Sequence, residues 1–257
     1  MILKSIIKKI ARILYSLIYF IANLSKKAET HYRLACASYD SRNFELAIKQ
    51  INICLKYDDE DQYAHNLLGR IYIDTNRFDD AVEAFFKAIK CNDKDYYPNM
   101  MIAYIRYETE NYVEAVKYYL KALKLYDDSD TETTTTILWY LSGSYNYLSD
   151  YNNASLYLKK LLNIDPKHEK ALFAIGHTYF QIFRKEQDKT YLNNAIRYLE
   201  KAIEINSTND EALCCLAVSS LELGASNSAK TYIEKAIEIN QDNDKYKKIL
   251  KDIENRR

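Results

Sequence analysis

One segment recurs six times along the chain, and this repetition limits the fold more than any other feature. The stretch "FELAIKQINICLKYD" (44–58) returns as "FDDAVEAFFKAIKCN" (78–92), "YVEAVKYYLKALKLY" (112–126), "YNNASLYLKKLLNID" (151–165), "LNNAIRYLEKAIEIN" (192–206) and "SNSAKTYIEKAIEIN" (226–240). The small residues Ala47, Ala81, Ala115, Ala154, Ala195 and Ala229 mark each copy, at intervals of 34, 34, 39, 41 and 34 residues. A fixed period of this size signals a stacked array in which each unit buries its apolar face against the next. Apolar residues recur at helical spacing within each copy. Glycine and proline number only four and two, too few for a turn-rich β protein.

A second helical stretch precedes each copy. In it a small residue follows an aliphatic one, at Leu34-Ala35, Leu68-Gly69, Ile102-Ala103, Leu141-Ser142, Ile175-Gly176 and Leu216-Ala217. Two antiparallel helices approach closely only where small side chains face each other, so the two marks together describe a helix pair.

In spacing and residue type this pattern resembles the tetratricopeptide repeat family. The resemblance implies an all-α, right-handed α-solenoid of about six helix pairs. The pairs fall at 28–61, 62–95, 96–129, 135–168, 169–209 and 210–243. Residues 244–257 read as a C-terminal capping helix. Asp165-Pro166 stands where the family often ends its second helix with proline, a mark the other five copies lack. Two interruptions are expected to change local shape: an acidic, threonine-rich connector at 127–136 and a lengthened turn or first helix around 181–191.

Residues 1–27 differ in composition. Wound at about 3.6 residues per turn, Lys4, Lys8, Lys9, Arg12, Tyr15, Tyr19 and Asn23 fall on one side, and Ile6, Ile10, Ile13, Leu14, Leu17, Phe20 and Ile21 on the other. Three readings stay open. The helix caps the first repeat through Leu14, Leu17 and Ile21; or it lies on a membrane surface with Lys4, Lys8 and Arg12 toward headgroups; or it is a span or signal peptide. The uninterrupted apolar run from Ile13 to Ala22 is about half of the ~20 residues a span needs.

Reactive chemistry is scarce. Four scattered glycines make no phosphate loop, and His31, His65, His168 and His177 have no metal-ligand spacing to a second His or Cys. The expectation is a chain that is not an enzyme and carries no cofactor or metal. Five cysteines without a Cys-x-x-Cys pair read as reduced packing thiols, which suits a cytoplasmic protein, at a membrane surface if the first helix attaches there. Lys+Arg and Asp+Glu balance at 36 each, so nucleic acid is disfavoured.

The resemblance further implies that the first helix of each pair lines an inner groove holding a protein or peptide ligand. Carried over by position, the groove residues are Tyr32 and Tyr39; Tyr63, Asn66 and Arg70; Tyr97, Tyr104 and Tyr107; Trp139 and Asn146; and Phe173 and His177. Some relatives clamp an acidic C-terminus with Lys, Asn and Arg. Here Tyr32, Cys36, Leu67, Tyr97 and Met101 occupy those positions, so that mode is not expected. Aromatic side chains take their place, either binding a segment or packing between helices.

Overall fold

Small residues at the marked positions bring helices together in pairs within each of two compact units. The computed structural model describes residues 2–126 and 130–255, and these hold thirteen α-helices and no strand. They are α1 (Ile2–Asp40), α2 (Phe44–Tyr57), α3 (Gln62–Asp74), α4 (Phe78–Cys91), α5 (Tyr97–Glu108), α6 (Tyr112–Leu125), α7 (Thr131–Tyr147), α8 (Tyr151–Ile164), α9 (Glu169–Glu186), α10 (Lys189–Ile205), α11 (Asp210–Glu222), α12 (Ser226–Ile239) and α13 (Asp244–Asn255). All six marking alanines are fully buried, as are Ala35 and Ala217 on the helices that face Ala47 and Ala229. At Gly69 an added methyl group would lie 2.6 Å from Cζ of Phe85.

The chain divides into two compact units, Met1–Thr109 with Lys124–Tyr126, and Glu110–Leu123 with Asp127–Arg257. In the first unit Ala35, Ala47, Ile51, Cys54, Leu68 and Ile71 form a core where α1, α2 and α3 meet. In the second, Leu158, Leu161, Ile175, Tyr179 and Ala195 join α8, α9 and α10. Helix α13 closes the second unit: Tyr246 and Ile253 are buried, and the Tyr246 hydroxyl donates to Asp210 Oδ2 at 3.1 Å. A fully buried Ile or Leu contributes roughly 1.5–3 kcal/mol. Exposed pairs such as Arg33–Glu29 (2.6 Å) contribute about 0–1 kcal/mol each, so internal packing stabilises each unit.

Between the helices of each pair the backbone turns through one left-handed residue. These are Arg42, Asn76, Glu110, Ser149 and Gln187, with φ from 56° to 60°, and Gly224 with φ 86°. At Arg42, Asn76, Ser149 and Gly224 the turn closes in the same way. The left-handed residue's N–H reaches back three residues, and the following N–H reaches back five, as from Asn43 to the Ser38 carbonyl at 2.8 Å. That following residue then begins the next helix. Asn43 and Asp150 accept from the backbone N–H three positions on, whereas Ala225 has no side chain to do so.

Three regions bear on the sequence expectations. Helix α1 runs unbroken for 39 residues, so the N-terminal segment is one piece with the first repeat helix. Residues before Ala28 run on past the repeat, and Ile10, Ile13, Leu14, Leu17, Ile18, Phe20 and Ile21 are 51–65% exposed. No glycine or proline between Leu24 and Ala28 would let the segment fold back. No helix among the described residues is long and apolar enough to cross a membrane.

The threonine-rich stretch is largely helix. Asp130 caps α7 by accepting from the N–H groups of Glu132 and Thr133, and Thr131–Thr136 are its opening turns. The rest of that expected connector, 127–129, lies outside the described residues. Around 181–191 both neighbouring helices grow, to 18 residues in α9 and 17 in α10, joined through Gln187 and Asp188 alone.

Candidate binding surface

In the first unit, α1, α3 and α5 bring six of the expected groove residues to one cavity of about 430 Å³. Its walls include Tyr32, Tyr39, Tyr63, Asn66, Arg70 and Tyr97, joined by Cys36, Asp95 and Tyr96. The polar groups are wired in a definite order. The Tyr39 hydroxyl donates to Asp74 Oδ2 at 2.7 Å and accepts from Arg70 Nη2 at 3.3 Å, while the guanidinium lies 5.1 Å over the Tyr39 ring. Arg70 thus stands fixed on a ring with no ion pair among the described residues.

Asn66 is buried on α3, only 8% exposed. Its Nδ2 donates to Asp95 Oδ2 at 3.3 Å, and its Oδ1 has no partner. A buried carbonyl without a donor costs ~1–3 kcal/mol, so this wall holds an unmet demand for an N–H or O–H. Burial pushes the Tyr32 hydroxyl up to about 12, with Cys36 adding to the effect. Burial likewise holds Tyr97 at about 12 against the lowering influence of Arg70. Both rings stay neutral near pH 7 and present hydroxyl donors beside apolar faces.

Tyr104 and Tyr107 lie farther along α5, half-buried. The second unit holds the remaining groove positions, and they do not form one cluster. Trp139 stacks on His168 (centroids 5.8 Å apart), and Asn146 Oδ1 accepts from the Thr178 hydroxyl at 3.0 Å, so both are engaged between helices. Phe173 is half-buried against His177, 6.3 Å between centroids. His177 faces a cavity of about 650 Å³, whose walls include Phe180, Gln181, Arg184, Cys215 and Lys245. Surrounding protein lowers the His177 pKa by desolvation, favouring the neutral ring.

Asp95 and Tyr96 carried no repeat mark, and Lys245 comes from the closing helix, so position within the repeat did not reveal them. The five cysteines are all free, and burial pushes Cys54 and Cys215 up to about 12. In the N-terminal helix Arg12, Leu14, Leu17 and Ile21 are exposed, while the side chains of Lys4 and Lys8 lie outside the described ones.

Two family profiles, each described as tetratricopeptide repeat, match the chain. One covers residues 32–96, and the other covers 97–129, 138–168, 169–209 and 211–243. The chain belongs to the tetratricopeptide repeat family. No curated protein matches it. Among solved structures, this tetratricopeptide repeat chain is similar to the C-terminal part of a repeat protein from Cytophaga hutchinsonii. That match has a TM-score of 0.71 and 17% identity, over 92% of this chain and 94% of the other. It is also similar to YrrB, described as a TPR protein with an unusual peptide-binding site (0.67, 16% identity, 78% and 97% covered). A third is PilF of Pseudomonas aeruginosa (0.63, 16% identity, 90% and 99% covered). At such identities these likenesses speak for the fold.

Proposed function

We propose that this tetratricopeptide repeat chain is a non-catalytic scaffold that holds a peptide segment of a protein partner against the α1–α3–α5 face. The orphan Oδ1 of Asn66 in a tyrosine-lined cavity carries the reading. An extended peptide supplies backbone N–H groups along its length, and one of these satisfies Asn66. Arg70, held by Tyr39 and lacking a carboxylate, fits an acidic side chain or carbonyl of the same segment. Tyr32, Tyr63 and Tyr97 bury apolar anchors at low entropic cost, as aromatic residues do at interfaces.

Peptide binding at the repeat-bearing YrrB is consistent with this use of the fold. Panning a random-peptide display library on the wild type and on Asn66→Ala tests the proposal. A consensus with an acidic position, enriched on the wild type and lost on the variant, is expected. Equal enrichment on both proteins, or none on either, overturns it.

A further inference from the structure

The apolar face of α1 does not stop where the repeat does. Ala28 and Ala35, buried where α1 meets α2, sit on the same helical stripe as Ile10, Leu17 and Leu24. Those three precede Ala28 by 18, 11 and 4 residues, or about five, three and one turns. Helix α2 reaches back along α1 only to the level of Lys27 and His31. There Tyr57 stacks on His31 (6.0 Å) and lies 5.5 Å from the Lys27 ammonium. Before that level Ile10 and Leu17 on the pairing face are exposed, leaving a notch bounded by this face of α1 and the end of α2.

The floor of the notch is the turn Asp58-Asp59-Glu60-Asp61, where Asp58, Asp59 and Glu60 are exposed and make no ion pair among the described residues. The chain from Met1 to Ala28 has the opposite character, with Lys4, Lys8, Lys9, Arg12, Lys26 and Lys27 and no acid.

We infer that the notch is filled by α1 of a second copy, packed antiparallel about a two-fold axis. Laying the apolar run Leu3–Leu24 of one copy on that of the other sets Ile10 against Leu17 and Ile13 against Leu14. Each helix then extends the line of its partner's α2, and its lysine-bearing end points at the partner's acidic turn. The positive end of one helix dipole meets the negative end of another. Contacts of this kind are self-complementary, as a two-fold interface requires.

A bilayer fits the same face less well. Helix α2 and its acidic turn stand on the side of α1 that a membrane would have to occupy. Four carboxylates would meet anionic headgroups first.

Analytical ultracentrifugation of the full chain tests the inference. The wild type is expected to be a dimer. Leu17→Asp, at a position 51% exposed and outside the repeats, is expected to raise the dissociation constant on the order of a hundredfold while the melting of the repeats is unchanged. The pair Lys8→Glu/Lys9→Glu should weaken the dimer, as should Asp59→Lys/Glu60→Lys, and the four changes together should restore it. A wild type that is monomeric at every concentration overturns the inference. So does a dimer indifferent to Leu17→Asp, or charge reversals without effect. A monomer that co-sediments with phosphatidylserine–phosphatidylcholine vesicles through these residues replaces the second copy with a membrane.

Discussion

Gly176 on α9 lies against Leu199 on α10 so closely that a methyl group added to the glycine would sit 2.6 Å from Leu199 Cγ and 2.9 Å from Cδ2. The Ala195 carbonyl would stand 3.2 Å away, so moving Leu199 alone would still leave the methyl group tight against backbone. Alanine in place of a helical glycine ordinarily gains about 1 kcal/mol in propensity. Overpacking costs ~1–3 kcal/mol, and here it should win. Gly176→Ala is therefore expected to destabilise the chain by about 1–2 kcal/mol in urea unfolding. Combined with Leu199→Ala the loss should be less than the sum of the two, because the second change makes room for the first.

The left-handed turn positions also favour glycine, but through the backbone and not through packing. Ser149 holds φ 57° with a side chain that disfavours it, so Ser149→Gly should stabilise by roughly 0.5 kcal/mol. Gly224 has φ 86° and no atom within 4 Å of an added methyl group, so Gly224→Ala should cost about 1 kcal/mol from backbone strain alone. One residue later, Ala225→Asp supplies the missing cap of α12 and should add about 1 kcal/mol. Chemical denaturation of the three variants checks all three signs.

How far these features were legible depends on whether neighbours in sequence decide them. The buried alanines and the close approach at Gly69 recur with the repeat, so helix pairing could be read from spacing. Helix boundaries could not always be read that way. A shift in composition near residue 27 suggested a separate element, yet no breaker stands there and α1 runs through. Six residues of Thr131–Thr136 suggested a loop, but Asp130 caps them into helix. The expected groove residues were legible as types and not as chemistry. Trp139 is engaged because His168 lies beneath it, and Asn66 has an orphan oxygen because Asp95, 29 residues away, takes its nitrogen.

Cysteine reactivity should follow burial. Cys54 is fully buried with its thiol pushed up to about 12 by desolvation and then by Asp61, and Cys215 reaches about 12 through burial beside Cys214. A raised thiol pKa leaves less thiolate at a given pH, and thiolate is the reacting species. Iodoacetamide at mildly alkaline pH is expected to label Cys36 well before Cys54 and Cys215, as followed by peptide mass spectrometry. Labelling of all five at one rate would mean that the repeats open on the timescale of the reaction.

Asn66 should separate binding from stability. In the free chain its Oδ1 is buried without a donor, and its hydrogen bond to Asp95 is long at 3.3 Å. Removing the carboxamide relieves an unsatisfied group while giving up a weak bond, so Asn66→Ala should shift unfolding free energy by no more than about 1 kcal/mol. A core alanine change that merely emptied space, such as Leu158→Ala at a fully buried position, should cost ~2–5 kcal/mol. Peptides selected on the wild type should nonetheless lose on the order of tenfold or more in affinity for Asn66→Ala, since their backbone donor then meets no acceptor. Arg70→Ala should weaken the same peptides mainly through their acidic position, which fluorescence polarisation with that position neutralised would expose. A destabilisation of Asn66→Ala comparable to that of Leu158→Ala would mean that the carboxamide serves the fold and not the ligand.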